Sequence, residues 1–274
     1  MNRNPTLNLN LHDDCDIRET DLDFLLLYTR RGQCEDKSAA MTRAKAVWRS
    51  VKARLHTYRC VESMAFLIPK VQMFEGYDRL LGLYRDKRVV KVADIGCCFG
   101  QDVRRLMVDG IPPSMIWAID VVDGYWSAGL ELYQDIGPDE SEKADVHRID
   151  LVHTLFCDLT ATDIPSEVSS AVLTRDFDCL ILKNVFHVLS LEQGDRLIAR
   201  MAQMLHAGGF IMGICVGARE AKNWALTPDG TQLRYLHSIS TLSELFRRHG
   251  FHSRIKVMQM TNRSETFKAI IHNV

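Results

Sequence analysis

The sequence predicts an α/β fold in which a mostly parallel, seven-stranded sheet follows an N-terminal helical cap. Two patterns lead to this prediction. After residue 87, short β-branched runs alternate with helical segments, which is typical of a parallel sheet with right-handed crossovers. Before residue 87, apolar residues recur at helical spacing and no strand pattern is present. We therefore expect a flexible arm over residues 1–20, a helical cap over 21–86 and an α/β core over 87–274.

The cap is predicted to contain several helical segments. Asp21 is placed to cap the first of them, whose apolar face includes Leu27. A second segment runs over residues 38–55, and Pro69 bends or interrupts a third. The last apolar stripe, over residues 77–84, leads directly into the first strand.

The core is predicted to contain strands at 89–95, 115–120, 152–157, 177–182, 210–216, 253–260 and 267–271. Helical segments are expected at 101–109, 124–134, 191–205 and 242–249. The last two strands follow one another closely, so we expect them to form an antiparallel hairpin at the sheet edge.

Composition excludes several classes of protein. The chain has 274 residues with 34 basic and 35 acidic side chains, and a formal charge of −1 provides no general basic surface for nucleic acid. No apolar run approaches the roughly 18 residues of a membrane span, and the N-terminus has no secretory pattern. Five of the eight cysteines lie in or beside apolar runs, namely Cys97, Cys98, Cys157, Cys179 and Cys215, and no Cys-x-x-Cys pair has zinc spacing. We therefore expect buried thiols and no metal. These features predict a cytoplasmic protein.

A glycine-containing turn follows the first predicted strand, and residues 94–102 are called the glycine loop below. The strand ends at Asp94, and the chain then turns through Gly96 and Gly100 into a helix that carries Asp102 in its first turn. The spacing matches neither the dinucleotide fingerprint nor the Walker pattern, both of which hold phosphates. Two carboxylates at this turn favour a cationic ligand without phosphate.

Acidic residues also follow the next two strands. Asp120 ends the second strand, where nucleoside-binding sheets bind the ribose hydroxyls, and Asp158 ends the third, where we expect it to meet an adenine amino group. A solvated acid at a strand end is the ordinary alternative for each residue taken alone. Acids at three successive strand ends beside a glycine loop favour a shared nucleoside site.

These residues resemble the class I S-adenosylmethionine-dependent methyltransferases, which have a Rossmann-like fold. More narrowly, the chain is similar to fungal methyltransferases of meroterpenoid and related secondary-metabolite pathways. The segments that carry the resemblance are 94–106 with Asp109-Gly110, Leu26-Leu27-Tyr28, Trp48, Tyr58-Arg59-Cys60, Phe186-His187-Val188-Leu189, Gln193, Gly208-Gly209-Phe210 and Gly217.

The resemblance implies that the core over 87–274 binds S-adenosylmethionine, with S-adenosylhomocysteine as product, and transfers a methyl group. The residues expected to bind this cofactor are Asp94, Gly96, Cys97, Gly100, Gln101, Asp120, Val121, Asp158, Leu159 and Asn184. The acceptor implied is a small, largely apolar molecule, in several family members the carboxyl group of a meroterpenoid acid. Departures at Arg59, Val216 and Lys183-Asn184 leave the identity of the acceptor open.

His187 is the expected catalytic residue, since it follows the strand over 177–182 at its carboxyl end. A carboxylate acceptor is ionised at neutral pH and needs no base, whereas an alcohol needs one. His187 therefore either orients the substrate, acts as base, or only hydrogen-bonds within the wall. Tyr28 and Tyr58 of the cap and Arg219 after the fifth strand are the other expected substrate-binding residues, although core packing and a solvated loop are the ordinary alternatives.

Other functions stay open at this point. The acceptor atom is a hydroxyl oxygen or a carbon in one alternative. In another, the fold serves as a cyclase or a partner-binding subunit without methyl transfer. A nicotinamide-dependent oxidoreductase is disfavoured because the dinucleotide fingerprint is missing. Beyond the small-molecule acceptor, the sequence is compatible with a homodimer.

Overall fold

The computed structural model describes residues 17–29, 36–56, 58–87, 89–135, 148–225, 233–260 and 266–273. The chain divides into two compact units, Met1–Ile68 and Pro69–Val274. Residues 69–86, which the sequence analysis assigned to the cap, therefore belong to the second unit. Most of the expected flexible arm, residues 1–16, lies outside the described residues.

The first unit is helical where it is described. Its α-helices are α1 (Asp23–Thr29), α2 (Lys37–Arg54) and α3 (Arg59–Glu62), and a 3-10 turn spans Ala65–Leu67. The Trp48 indole of α2 donates a hydrogen bond to the Val61 carbonyl of α3 over 3.0 Å, which joins the two helices. The prediction that Leu27 belongs to the apolar face of the first helix is wrong, because this side chain is 54% exposed.

The second unit alternates helices with strands. In chain order its elements are α4 (Gly76–Lys87), β1 (Val92–Ile95), α5 (Gln101–Val108), β2 (Ile116–Asp120), α6 (Asp123–Leu132), β3 (His153–Phe156), α7 (Ser166–Val172), β4 (Phe177–Lys183), α8 (Leu191–Met204), β5 (Leu205–Ala218), β6 (Lys222–Ala225), β7 (Leu233–Leu236), α9 (Ile239–Arg248), β8 (Ser253–Met260) and β9 (Thr266–Asn273).

The main sheet has the order β3-β2-β1-β4-β5-β9-β8. The strands from β3 to β5 pair in parallel, whereas β9 pairs antiparallel with both β5 and β8. The predicted α/β class with a mostly parallel sheet is confirmed. The chain reverses direction of winding at β1, which lies between β2 and β4, and ligands of open α/β sheets bind at the carboxyl ends of the strands at this point.

Strand β4 shows why the central strands are almost continuously apolar. Cys179 and Ile181 pack on one face of the sheet with side chains of α4, α5 and α6. Leu180 and Leu182 pack on the other face with α7, α8 and α9. Burial on both faces removes the polar alternation that a half-exposed strand shows.

Two features differ from the sequence-based expectations. Strand β5 begins at Leu205 instead of residue 210, and it continues to Ala218. A separate antiparallel hairpin, β6–β7, follows it and was not predicted. In the part of the chain that the structure describes, no helix has an apolar stretch sufficient to cross a bilayer.

We predict opposite effects for alanine at two glycines. A Cβ on Gly213 of β5 would overlap the Leu182 carbonyl of β4, so Gly213→Ala should lower the free energy of unfolding by about 1–3 kcal/mol or more. A Cβ on Gly82 of α4 meets nothing within 4 Å, and Gly82→Ala should raise stability by up to ~1 kcal/mol. Urea unfolding checks both. Equal stability of the two variants would contradict the register between β4 and β5.

Candidate active site

The glycine loop is held between two neighbouring strands. Its backbone takes positive φ at Gly96 (76°) and Gly100 (71°), a region that L side chains rarely adopt. The Gly96 N–H donates to the Ile119 carbonyl of β2 over 2.7 Å. On the other side, a Cβ on Gly96 would lie 2.5 Å from Cγ2 of Val185, just after β4. The loop therefore occupies the carboxyl edge of the sheet where β2, β1 and β4 end.

Helix α6 covers the far end of the loop. A Cβ on Gly100 would approach Trp126 of α6 to 2.6 Å, and a Cβ on Gly129 of the same helix would overlap the Phe99 carbonyl. Glycine at both positions permits this close approach of helix and loop. Gly100 is also the N-cap residue of α5.

A fully buried arginine holds the glycine loop through hydrogen bonds to its carbonyl groups. The Arg104 guanidinium donates to the carbonyl oxygens of Phe99 (2.6 Å) and Gly100 (3.0 Å). It also forms an ion pair with Asp135, which is itself buried. A guanidinium has several donors in a fixed plane, so one side chain can hold both carbonyls and the carboxylate at once.

Asp94 lies at the end of β1 with no solvent exposure. Neither of its carboxylate oxygens has a hydrogen-bond partner among the described residues. Burial raises the pKa of Asp94 to about 8, and the negative charge of Asp102 adds to the shift, while Lys183 opposes it. A buried carboxylate without a donor is costly, so this position is suited to a ligand that brings a cation.

Asp102 has the opposite surroundings. Its carboxylate accepts hydrogen bonds from the backbone N–H groups of Lys70 (2.6 Å) and Val71 (3.0 Å), and it pairs with Lys183 at the end of β4. With both acids ionised, Asp94, Asp102 and Lys183 together carry one net negative charge. A nearby cation favours the ionised form of Asp94, and in that form the base of the cleft is electrostatically complementary to the cation.

Asp120 connects the second strand end to the glycine loop. Its carboxylate accepts from the Cys98 N–H of the loop (2.8 Å) and from the Val122 N–H (3.0 Å). Burial raises the pKa of Asp120 despite these bonds. The side chain of the following residue, Val121, is 58% exposed, so an apolar surface lies next to the acid.

The remaining predicted cofactor residues lie at the same edge of the sheet but in different environments. Asp158 is exposed at the end of β3, where its carboxylate accepts from the Thr160 N–H (2.7 Å), and Leu159 beside it is buried. Asn184 after β4 has a positive φ of 59°. The side chain of Cys97 is buried in the core, and this burial raises the pKa of its thiol. Cys97 therefore contributes its backbone to the glycine loop.

His187 stands in a short turn that follows β4. Its Nδ1 accepts a hydrogen bond from the Val216 N–H of β5 at 3.5 Å. In the neutral ring the proton then resides on Nε2. The ring's acceptor nitrogen is thus engaged within the protein, which favours orientation of a substrate over removal of a proton from it.

The predicted substrate-binding residues belong to both units of the chain. Tyr28 and Tyr58 belong to the first unit, and Tyr28 is buried there. Arg219 is exposed in the connection between β5 and β6. Their roles toward a substrate stay predictions.

Sequence reasoning missed three features of the site. Lys183 was noted only as a departure from the family, and its pairing with Asp102 joins residues far apart in the chain. Arg104 carried no signal beyond a basic residue in a helix. The β6–β7 hairpin did have a signal in the sequence, because Pro228-Asp229-Gly230 is a typical turn sequence between two strand-like runs. In the described residues, no group of three or more His, Cys, Asp or Glu side chains is arranged to hold a metal ion.

No protein-family model matches the chain. It is similar to the O-methyltransferase atr3 of Stereocaulon alpinum, with 26% identity over 200 residues that cover 72% of this chain and 53% of that protein. The methyltransferase prhM of Penicillium brasilianum is 30% identical over 149 residues, or 53% of this chain and 52% of that protein. The Asnovolin E/Chermesin D methyltransferase nvfJ of Aspergillus novofumigatus is 24% identical, covering 69% and 63%.

These matches confirm the predicted resemblance to fungal methyltransferases. The chain spans about half the length of the first two curated relatives that it matches. What those relatives do as whole proteins therefore concerns this chain as a proposal only.

A solved structure supports the fold. The 1,6-didemethyltoxoflavin-N1-methyltransferase of Burkholderia thailandensis, which contains its substrate and S-adenosylhomocysteine, matches with a TM-score of 0.53 over 86% of this chain and 88% of that chain. The two chains are 15% identical, so the likeness concerns the fold. It confirms the predicted Rossmann-like fold of the class I methyltransferases.

The protonation of Asp94 predicts a pH-dependent stability. Between the unfolded pKa of about 3.9 and the folded pKa of about 8, the native state holds a proton that the unfolded state releases. Stability from this residue is therefore complete below that window and is lost as the pH rises through it. The amide in Asp94→Asn imitates the protonated acid, so the variant should gain stability over wild type progressively from pH 5 to pH 8.

Urea unfolding at several pH values, without ligand, measures this difference. The matched control is Asp163→Asn, since Asp163 is an exposed acid outside the cluster. A difference between Asp94→Asn and wild type that stays constant with pH would show that Asp94 is ionised throughout.

Proposed function

We propose that the protein is an S-adenosylmethionine-dependent methyltransferase that methylates the carboxylate of a small, largely apolar, meroterpenoid-like acid to a methyl ester. The observation that carries the first part is the buried Asp94 carboxyl group, which lies at the base of the glycine loop and has no hydrogen-bond partner among the described residues. The methyltransferase names of the fungal relatives support the reaction class.

The site fits the cationic end of S-adenosylmethionine. We assign Asp94 to the ammonium group of its amino-acid portion, since an ammonium supplies the donors that this carboxylate lacks. The Oε1 atom of Gln101 is likewise buried without a donor among the described residues, and it faces the same need. Gly96 and Gly100 supply the positive φ angles with which the backbone turns at this edge of the sheet. The backbone of Cys97 lines the same turn.

The nucleoside end is assigned to the next two strand ends. A carboxylate at Asp120 binds ribose hydroxyls, and the exposed side chain of Val121 gives the adenine ring an apolar surface. Asp158, Leu159 and Asn184 complete this part of the cofactor site in the proposal. Asp120 also organises the glycine loop through Cys98, so the same acid binds ligand and shapes the cleft.

When bound, S-adenosylmethionine supplies a methyl group that is already activated by the positive sulfur. The protein then has to align the acceptor and exclude water. A carboxylate acceptor is ionised at neutral pH, so no residue has to remove a proton from it. His187 donates from Nε2 to an acceptor oxygen and orients it, in keeping with the bond that its Nδ1 accepts from Val216. Tyr28, Tyr58 and Arg219 remain proposed contacts to the substrate, and the homodimer and cytoplasmic location remain predictions from the sequence.

The cofactor assignment predicts that Asp120→Ala weakens S-adenosylhomocysteine binding by about 10- to 100-fold, because charged hydrogen bonds to the ribose are lost. Calorimetric titration measures the affinity, and circular dichroism verifies that the variant is folded. The exposed acid Asp163 provides the control, and Asp163→Ala should bind as wild type does. Unchanged affinity in Asp120→Ala would place the ribose elsewhere.

The acceptor assignment is tested with methyl-labelled S-adenosylmethionine and a panel of apolar carboxylic acids and alcohols. Label in the product should be released as methanol by mild base, since a methyl ester hydrolyses and an ether or C-methyl product does not.

His187→Ala should slow transfer to a carboxylate by about 10-fold, as for one lost orienting hydrogen bond. A loss of about 100-fold or more, with a rate that rises with pH in wild type, would make His187 a general base.

A further inference from the structure

The β6–β7 hairpin carries a cluster of cations around an aromatic ring. In its register Lys222 lies opposite Leu236 and Trp224 opposite Arg234. Residues that are opposite or two apart share a face of a two-stranded sheet, so these four side chains lie on one face. The Lys222 ammonium is 5.4 Å and the Arg234 guanidinium 6.0 Å from the centre of the Trp224 ring.

Arg234 is incompletely satisfied within this cluster. Its Nε is buried and has no hydrogen-bond partner among the described residues, and no carboxylate among them is paired with the guanidinium. Burial lowers the pKa of Arg234, although a guanidinium stays charged at neutral pH. A buried charged donor is costly unless an acceptor satisfies it, and the described residues provide none.

The hairpin also borders the turn that carries His187. The Tyr235 N–H of β7 donates to the Leu189 carbonyl, at the end of that turn, over 2.7 Å. At the base of the hairpin the Ala218 N–H of β5 donates to the His237 carbonyl over 2.9 Å. These bonds fix β7 beside the segment to which the proposed function assigns the acceptor.

The exposed part of the cluster is apolar as well as cationic. The Trp224 ring is 42% exposed, so a flat or greasy ligand can cover it while an anionic group meets the guanidinium. A free inorganic anion would leave this ring in water, and a neutral apolar ligand would leave Arg234 without an acceptor. The chemistry that satisfies both is an apolar organic acid.

We propose that Arg234, with Trp224 beside it, is the specificity-determining element of the acceptor site and binds the carboxylate of an apolar organic acid. The inference rests on the proposed function for its place in a reaction, and its binding chemistry can be tested separately. The hairpin thus holds the carboxylate, whereas Arg219 remains a proposed contact to the substrate. Because methylation removes the charge of the acid, the same cluster would hold an ester more weakly than its parent acid, which assists product release.

The test uses the whole chain and two probes of similar shape, 2-naphthoate and the neutral 2-naphthamide, in equilibrium dialysis. Wild type should bind 2-naphthoate at least 10-fold more tightly than 2-naphthamide. Arg234→Gln should weaken 2-naphthoate by about 10- to 100-fold, the loss expected for a charge-assisted hydrogen bond, and should leave 2-naphthamide unchanged. Arg234→Lys keeps the charge without the planar fork and should lie between the two. Trp224→Leu should weaken both probes.

Controls separate this proposal from charge in general and from methyl transfer. Arg247 on α9 is exposed and paired with Glu244, so Arg247→Gln removes the same charge and should retain the preference for 2-naphthoate. Equal affinity of wild type for the two probes overturns the proposal. So does a preference that survives in Arg234→Gln, or one that disappears in Arg219→Gln instead. If Arg234→Gln is not folded by circular dichroism, Arg234→Lys gives the decision: an undiminished preference overturns the proposal.

The proposed function is judged on the same samples by calorimetric titration of S-adenosylhomocysteine. Wild type that binds 2-naphthoate selectively but not S-adenosylhomocysteine would retain the anion site and overturn the methyltransferase assignment. The reverse result would retain the methyltransferase and overturn the assignment of Arg234.

Discussion

The buried guanidinium of Arg104 holds the glycine loop in the shape on which the cleft depends. The carbonyl groups of Phe99 and Gly100 both accept hydrogen bonds from this guanidinium at the turn. Arg104 supplies the donors and is in turn neutralised by Asp135, which is also buried. Breaking a buried ion pair costs about 3–5 kcal/mol. A change that disturbs the Arg104–Asp135 pair therefore alters the loop geometry and also lowers the stability of the second unit. Glycine at 100 and 129 then allows α6 to close on the ordered loop.

Charge in the cleft follows from the two acids that flank this turn and from one lysine. Asp102 is fully provided with donors, and Lys183 is one of them, so its charge is compensated inside the protein. Asp94, near the end of β1, has no donor among the described residues. The same residue type at the same edge therefore serves two purposes. One acid ties the segment before α4 to the sheet, and the other is left to a ligand at a cost in stability that depends on pH.

The acceptor side is built from different parts of the chain. The methyl donor is assigned to the ends of β1, β2 and β3, which belong to the common fold. The acceptor is assigned to the turn after β4 and to the β6–β7 hairpin inserted between β5 and α9. The β6–β7 hairpin lies outside the main sheet, so its sequence can change without disturbing the pairing of the main strands. The fold therefore constrains Arg234 and Trp224 less than it constrains the residues at the ends of β1, β2 and β3.

The alternation of apolar runs and turns determined by itself the α/β class, the position of most strands and the acids at their ends. These are local properties, because the period of an apolar pattern and the effect of a glycine act over a few residues. Tertiary structure decided the rest. The Lys183–Asp102 pair and the Arg104–Asp135 pair join residues distant in sequence, the division after Ile68 reflects contacts between helices, and exposure of Leu27 depends on what packs nearby. Long-range pairing and desolvation leave no periodic trace in the chain, so the electrostatics of the site appeared only once the strands were in place.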